Sequence, residues 1–188
     1  MTNYDRSNNH PKLNYYEIQL LKKSHVKWAH EANVDVFGTL KFQNGRIMHE
    51  THGDKLLSIF WNKVDRAYFG ANGIRDGHRI TRLVFKHFGK NDNNLHYHFV
   101  AKAEGQIFPF INLLKNVWKN VDYQTCSSFS YIEAIQSQEK ATYYCAKECK
   151  KLGNDTILPD VCHTQTQDPD IKRFKGILRT RRLLKATY

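Results

Sequence analysis

The sequence predicts an α+β domain built on an antiparallel sheet with helices packed on one face. Three observations carry this. Stretches of period-two apolar alternation and stretches of helical apolar spacing follow one another in the order β, α, β, β, α, β, α. The two middle strands are separated by a short polar loop alone, which makes them an antiparallel hairpin. Finally, 188 residues with 40% hydrophobic and 13% aromatic content are enough for one core and crowd two.

Residues 1–30 form a polar, basic N-terminal segment, with Lys22, Lys23 and Lys27 around Trp28 and weak apolar spacing. They are expected to be a tail with at most one short helix. The domain proper is placed at residues 31–160. Its first strand runs over 33–42, where Val34, Val36, Thr39, Leu40 and Phe42 are bounded by polar residues. Thr51 followed three residues later by Asp54 has the form of a capping box, after which Leu57, Trp61, Val64 and Tyr68 recur at helical spacing until Gly70.

Residues 72–77 are expected to turn, and Ile80, Leu83, Val84, Phe85 and Phe88 mark the second strand. The loop at 89–94 leads into the third, at 95–101. Pro109 suits the first turn of a helix whose Ile111, Leu114, Trp118 and Val121 share a face. Phe129, Tyr131 and Ile132 mark a fourth strand, and residues 139–152 a last helix ended by Gly153. A β-α-β-β-α-β order is the split βαβ arrangement, ferredoxin-like or RRM-like, which leaves one sheet face free to work. Residues 161–188 form a basic C-terminal segment that includes Arg179, Arg181 and Arg182.

Lys and Arg number 29 against 18 acidic residues, a net charge of +11, which makes a polyanion the first partner to consider. No run of eighteen apolar residues is present and the N-terminus lacks the apolar centre of a signal peptide, so an intracellular protein without a membrane partner is expected. The four cysteines are then expected to stay reduced. Cys145 and Cys149, one helical turn apart, with Cys162 and His163 downstream, leave a structural zinc site as an alternative.

Leu95-His96-Tyr97-His98-Phe99 places two imidazoles two residues apart on a strand, so both point to one face. His87, at the end of the preceding strand, comes beside His96 if the two strands pair across the hairpin, and is the best third metal ligand. On the last helix, Lys147 lies three residues from Tyr144 and four from Tyr143, so either phenol can share a face with the ammonium. A phenol ordinarily ionises near pH 10, and a neighbouring cation or metal favours the phenoxide nucleophile.

These residues resemble the HUH endonuclease superfamily, in particular the Rep-type initiators of rolling-circle replication in plasmids, phages and circular single-stranded DNA viruses. Val36-Phe37-Gly38-Thr39-Leu40-Lys41-Phe42 is similar to the family's F-x-T-L segment, His96-Tyr97-His98 to its His-hydrophobe-His motif, and Tyr144-Cys145-Ala146-Lys147-Glu148 to its Y-C-x-K-E stretch. His87 stands where viral members often supply Glu. The resemblance implies that His87, His96 and His98 hold Mn²⁺ or Mg²⁺, and that Tyr144, preferred over Tyr143 for its spacing to Lys147, attacks DNA to leave a 5′-phosphotyrosine.

It further implies nicking and rejoining of single-stranded DNA at a replication origin, together with host replication machinery and without a small-molecule substrate. The compartment would be bacterial cytoplasm or, for a virus, the host nucleus. Phe37, Thr39, Lys41, Tyr97, Arg179, Arg181 and Arg182 are the expected DNA-binding residues. A transposase or relaxase shares the same chemistry. Two other classes remain: a non-catalytic single-strand-binding module, since such sheets also bind RNA through exposed aromatics, and a zinc hydrolase, for which no H-E-x-x-H is present. No Walker A sequence occurs, so these residues hold no helicase motif.

Overall fold

The computed structural model describes residues 13–89 and 93–164. Its elements are α1 (Tyr15–Glu31), β1 (Val36–Phe42), α2 (Glu50–Arg75), β2 (Arg82–His87), β3 (His96–Ala101), α3 (Ile107–Lys119), β4 (Thr125–Ala134), α4 (Gln138–Cys145) and α5 (Cys149–Leu152). The sheet order is β2-β3-β1-β4, with every neighbouring pair antiparallel. This is the split βαβ arrangement expected from the order of elements. Isolated bridges from Ile157 to Phe85 and from His163 to Arg82 cover the outer edge of β2. The folded body therefore runs to His163, past the expected boundary at 160.

Alternation assigns each strand residue to a face. One face carries Val36, Leu40 and Phe42 of β1, Val84 of β2, Tyr97 and Phe99 of β3 and Ile132 of β4, packed against Leu57, Phe60, Trp61 and Val64 of α2 and Phe110, Leu114 and Trp118 of α3. Gly38 is required here: a Cβ would sit 2.2 Å from the Phe99 ring, which crosses β1 at that point. The pairing of β1 with β3 therefore depends on the missing side chain.

The opposite face is covered in part. Leu83, Phe85 and Val100 pack with Ala29, Ala32, Val34, Cys145, Ala146 and Cys149, so α1 and α4 lie over the β2–β3 side of it. The N-terminal segment is thus no tail. Asn14 and Glu17 form a capping box, with reciprocal bonds of 3.0 and 2.7 Å, and α1 runs for 17 residues. Its buried positions, Lys22, His25 and Ala29, are short or polar, which is why apolar spacing understates it.

Three further differences concern helix ends and interruptions. The expected Thr51–Asp54 capping box does not form: His49 is the N-cap of α2, and the Asp54 carboxylate instead accepts from Lys86 Nζ at 2.7 Å and from Tyr97 Oη at 2.7 Å. Gly70, expected to stop that helix, kinks it at φ 71° and the helix resumes to Arg75. The last expected helix is also interrupted, with a 3-10 turn at Ala146–Glu148 between α4 and α5, before Gly153 ends it at φ 56°.

Candidate metal and tyrosine site

The register of the hairpin assembles the histidines. His87 is paired directly with His96, and His98 lies opposite Phe85 on one side and Thr39 on the other. All three side chains rise from the same face, and their ligand nitrogens lie within 4.8 Å of one another. Ring centroids are 4.3 Å apart for His87 and His98, 5.0 Å for His96 and His98, and 5.4 Å for His87 and His96.

Each ring has its second nitrogen anchored. His87 Nε2 lies 2.6 Å from the Cys145 carbonyl and His96 Nδ1 2.7 Å from the Asn94 carbonyl. A carbonyl only accepts, so these nitrogens carry the proton, and the lone pairs remain on His87 Nδ1 and His96 Nε2. His98 Nδ1 lies 2.9 Å from Thr39 Oγ1, and a proton on that nitrogen leaves Nε2 free in the same way. This is the outer-shell pattern that orients imidazoles around a metal.

Electrostatics keeps the rings neutral. Burial lowers the His87 pKa to about 4, with the His96, Lys147 and Lys151 charges adding to the effect. Burial likewise lowers those of His96 and His98, His98 by the larger margin, and Lys41 and Lys147 act in the same direction on both. Neutral imidazole is the form that ligates. Three neutral imidazoles, two of them with tautomers fixed by carbonyls, therefore fit a divalent ion, and their softness suits a transition ion better than Mg²⁺.

Tyr144 stands at the edge of this cluster. Its ring centroid lies 5.0 Å from that of His98 and 6.0 Å from that of Phe37, and the side chain is half exposed. Lys147 Nζ is 5.9 Å from the Tyr144 ring centre. Tyr143 is engaged by α1: its hydroxyl donates to Gln19 Oε1 at 3.0 Å and Lys22 Nζ sits 4.7 Å over its ring. The two adjacent phenols are thus sorted, Tyr144 beside the histidines and Tyr143 against the helix that covers α4.

The expected DNA-binding residues fare differently. Phe37 stacks on His98 at 5.9 Å and is half-buried, and Lys41 is paired across the strands with His96. Thr39 is buried and reaches His98, so its place is behind the ring rather than at the surface. Tyr97 must be corrected: it is fully buried on the opposite sheet face against α2, because the residue between two same-face histidines points the other way. Arg179, Arg181 and Arg182 lie outside the described residues.

The zinc alternative does not assemble. Cys145 and Cys149 are buried in the cluster under α1, Cys162 Sγ accepts from the Val84 amide at 3.2 Å, and all four cysteines are free thiols. Among the described residues, His87, His96 and His98 are the group of three or more ligand-type side chains close enough to share an ion. Sequence reasoning missed the anchors: Asn94 and Cys145 act through backbone carbonyls, which carry no residue signature, and Thr39 was read as a DNA contact. It also missed Gln19 and Lys22. No described helix is long and apolar enough to cross a membrane. No protein-family model, curated protein or solved structure matches the chain.

Proposed function

We propose that the protein is a metal-dependent single-strand DNA nicking and rejoining enzyme of the HUH type, a Rep-like initiator of rolling-circle replication with Tyr144 as nucleophile. The observation that carries this reading is the half-exposed Tyr144 ring 5.0 Å from His98, at the rim of three imidazoles whose ligand nitrogens lie within 4.8 Å of one another. A packing tyrosine needs neither the exposure nor the histidines. A structural metal site needs no phenol at its edge.

His87 Nδ1, His96 Nε2 and His98 Nε2 would hold the ion, Mn²⁺ or Mg²⁺, with the imidazole donors favouring Mn²⁺ over Mg²⁺ on softness. When bound, the ion would polarise the scissile phosphate as a Lewis acid. The Tyr144 oxygen forms a bond to phosphorus while the bond from phosphorus to the 3′ oxygen breaks, and the phenolic proton ends on that oxygen. The products are a 5′-phosphotyrosine and a free 3′-hydroxyl, which reverses the step when it attacks in turn. Lys147 supplies positive charge from the 3-10 turn that follows the tyrosine's helix, and Phe37 presents a π-face beside Tyr144 for an unpaired base. An origin sequence in single-stranded form would be the substrate and host replication proteins would extend the 3′ end.

The test is incubation with Mn²⁺ or Mg²⁺ and a pool of single-stranded oligonucleotides, followed by denaturing electrophoresis. A protein–DNA adduct that survives denaturation is expected for the wild type and for Tyr143→Phe, and none for Tyr144→Phe. The reverse pattern moves the nucleophile to Tyr143. Absence of adduct with every pool and both ions refutes the enzyme and leaves a single-strand-binding module.

A further inference from the structure

Beside the histidines lies a concavity that the mechanism above does not use. It has a volume of about 230 Å³ and is lined by Lys41, Gln43, Asn44, Arg46, Asn94 and Phe129, with Gly45 also in its lining. Gly45 is indispensable to its shape. A Cβ there would lie 2.4 Å from Asn94 Oδ1 and 2.7 Å from the Leu95 carbonyl oxygen, so the β1–α2 turn can approach the start of β3 only through glycine. The Leu95 amide donates to the Gly45 carbonyl at 3.0 Å and holds the two segments together.

The lining sorts by chemistry. Phe129 is an exposed aromatic, 68% accessible, on the stretch of β4 where the register with β1 shifts between Thr39 and Lys41. The ladder is interrupted along this part of the strand, and Ser130 Oγ accepts from the Lys41 amide at 3.0 Å in place of a backbone partner. Gln43, Asn44 and Asn94 bring primary amides, each with donors and an acceptor. Lys41 and Arg46 bring positive charge, and among the described residues no acidic side chain lines the cavity. An exposed ring, three amides and two cations are the parts that take an unpaired nucleotide: a stacking face, base-edge partners and phosphate partners.

Two links tie the cavity to the histidines. Lys41 lines it and is the cross-strand partner of His96, and Asn94 lines it while its carbonyl accepts from His96 Nδ1 at 2.7 Å. A nucleotide seated there is therefore one strand-pair away from the ligand cluster. The volume lies below the roughly 300–1,000 Å³ of pockets that take drug-sized ligands, so it suits one base rather than two.

We propose that this cavity is a base-reading subsite: it takes one unpaired nucleotide of a single DNA strand, stacked on Phe129 and read by Gln43, Asn44 and Asn94, and so holds the neighbouring phosphate at the histidine cluster. The proposal rests on the nicking reading for the identity of the strand. Its test does not need the chemistry.

Binding is read by fluorescence anisotropy in EDTA, with a labelled twenty-nucleotide random-sequence single strand as probe. Phe129→Ala is expected to weaken binding about tenfold, in line with the loss of one base–aromatic stack, and Arg46→Ala to weaken it and flatten its salt dependence. Phe108→Ala, which removes an equally exposed ring at the start of α3, is the control and is expected to match wild type. Equal affinities for Phe129→Ala, Arg46→Ala and wild type overturn the subsite, as does a wild type that binds no single strand. A wild type that binds through Phe129 but forms no covalent adduct with Mn²⁺ keeps the subsite and refutes the nicking reading.

Discussion

Replacing Thr39 with valine tests whether the histidine cluster is a metal site or a packed polar corner. Thr39 Oγ1 lies 2.9 Å from His98 Nδ1, and the two side chains are 7% and 2% accessible, so water cannot take the hydroxyl's place. A metal at His98 Nε2 requires the proton on Nδ1, and Thr39 is then the group that accepts it. Valine keeps the approximate shape and leaves that N–H buried without a partner, at a cost of about 1–3 kcal/mol. In a metal site part of this cost falls on the bound state, and lost outer-shell partners typically weaken metal affinity about 10- to 100-fold. Calorimetric titration of Mn²⁺ into wild type, Thr39→Val and Thr39→Ser reads it. Serine keeps the hydroxyl and should bind within a few-fold of wild type. An unchanged Mn²⁺ affinity for Thr39→Val, with the protein folded, would mean that His98 does not ligate through Nε2.

The other predictions concern the frame that holds the site. Asp65 and Arg82 form a buried pair at 2.8 Å, and Asp65 also accepts from the Ile80 amide, so Arg82→Ala should destabilise by roughly 3–5 kcal/mol in urea unfolding; a loss under 1 kcal/mol refutes the pair's role. His25 is fully buried in the cluster under α1, and burial lowers its pKa to about 4. The unfolded chain takes up this proton at its ordinary pKa near 6.5. Stability from this group is therefore complete well above pH 6.5 and falls as the pH drops through 6.5 towards 4, by about 1.6 kcal/mol between 6.5 and 5. His25→Leu should remove that part of the slope, and a variant whose stability falls with acid as steeply as the wild type's would refute it.

How far the sequence could be read follows from what kind of information each feature carries. Pairing of His87 with His96 was legible because a short polar loop between two apolar stretches leaves hairpin pairing as the simple outcome, and strand alternation then fixes the face. The same alternation places Tyr97 on the other side, so its expected DNA contact contradicted a rule already in hand. Helix α1 was harder. It buries Lys22, His25 and Ala29, whose names suggest solvent, although Asn14-x-x-Glu17 was a readable start signal. Thr51 and Asp54 offered an equally good signal that failed, because Asp54 gains more from the Lys86 ammonium and the Tyr97 hydroxyl than from an exposed amide. Local patterns compete with tertiary partners that no local pattern reveals.

The bond from His87 to the Cys145 carbonyl shows why tyrosine and histidines must be considered together. Cys145 directly follows Tyr144 and ends α4, so the carbonyl that fixes the His87 tautomer belongs to the turn that carries the phenol. A one-residue slip of α4 would turn Tyr144 away from His98 by about 100° and withdraw the acceptor from His87 in the same movement. The 3-10 turn at Ala146–Glu148 frees carbonyls at this helix end, and one of them is what His87 takes. Tyr143, held by Gln19 and Lys22, fixes the rotation of α4 from the other side. Helix α1, which looks dispensable in sequence, therefore sets the angle at which Tyr144 meets the histidines.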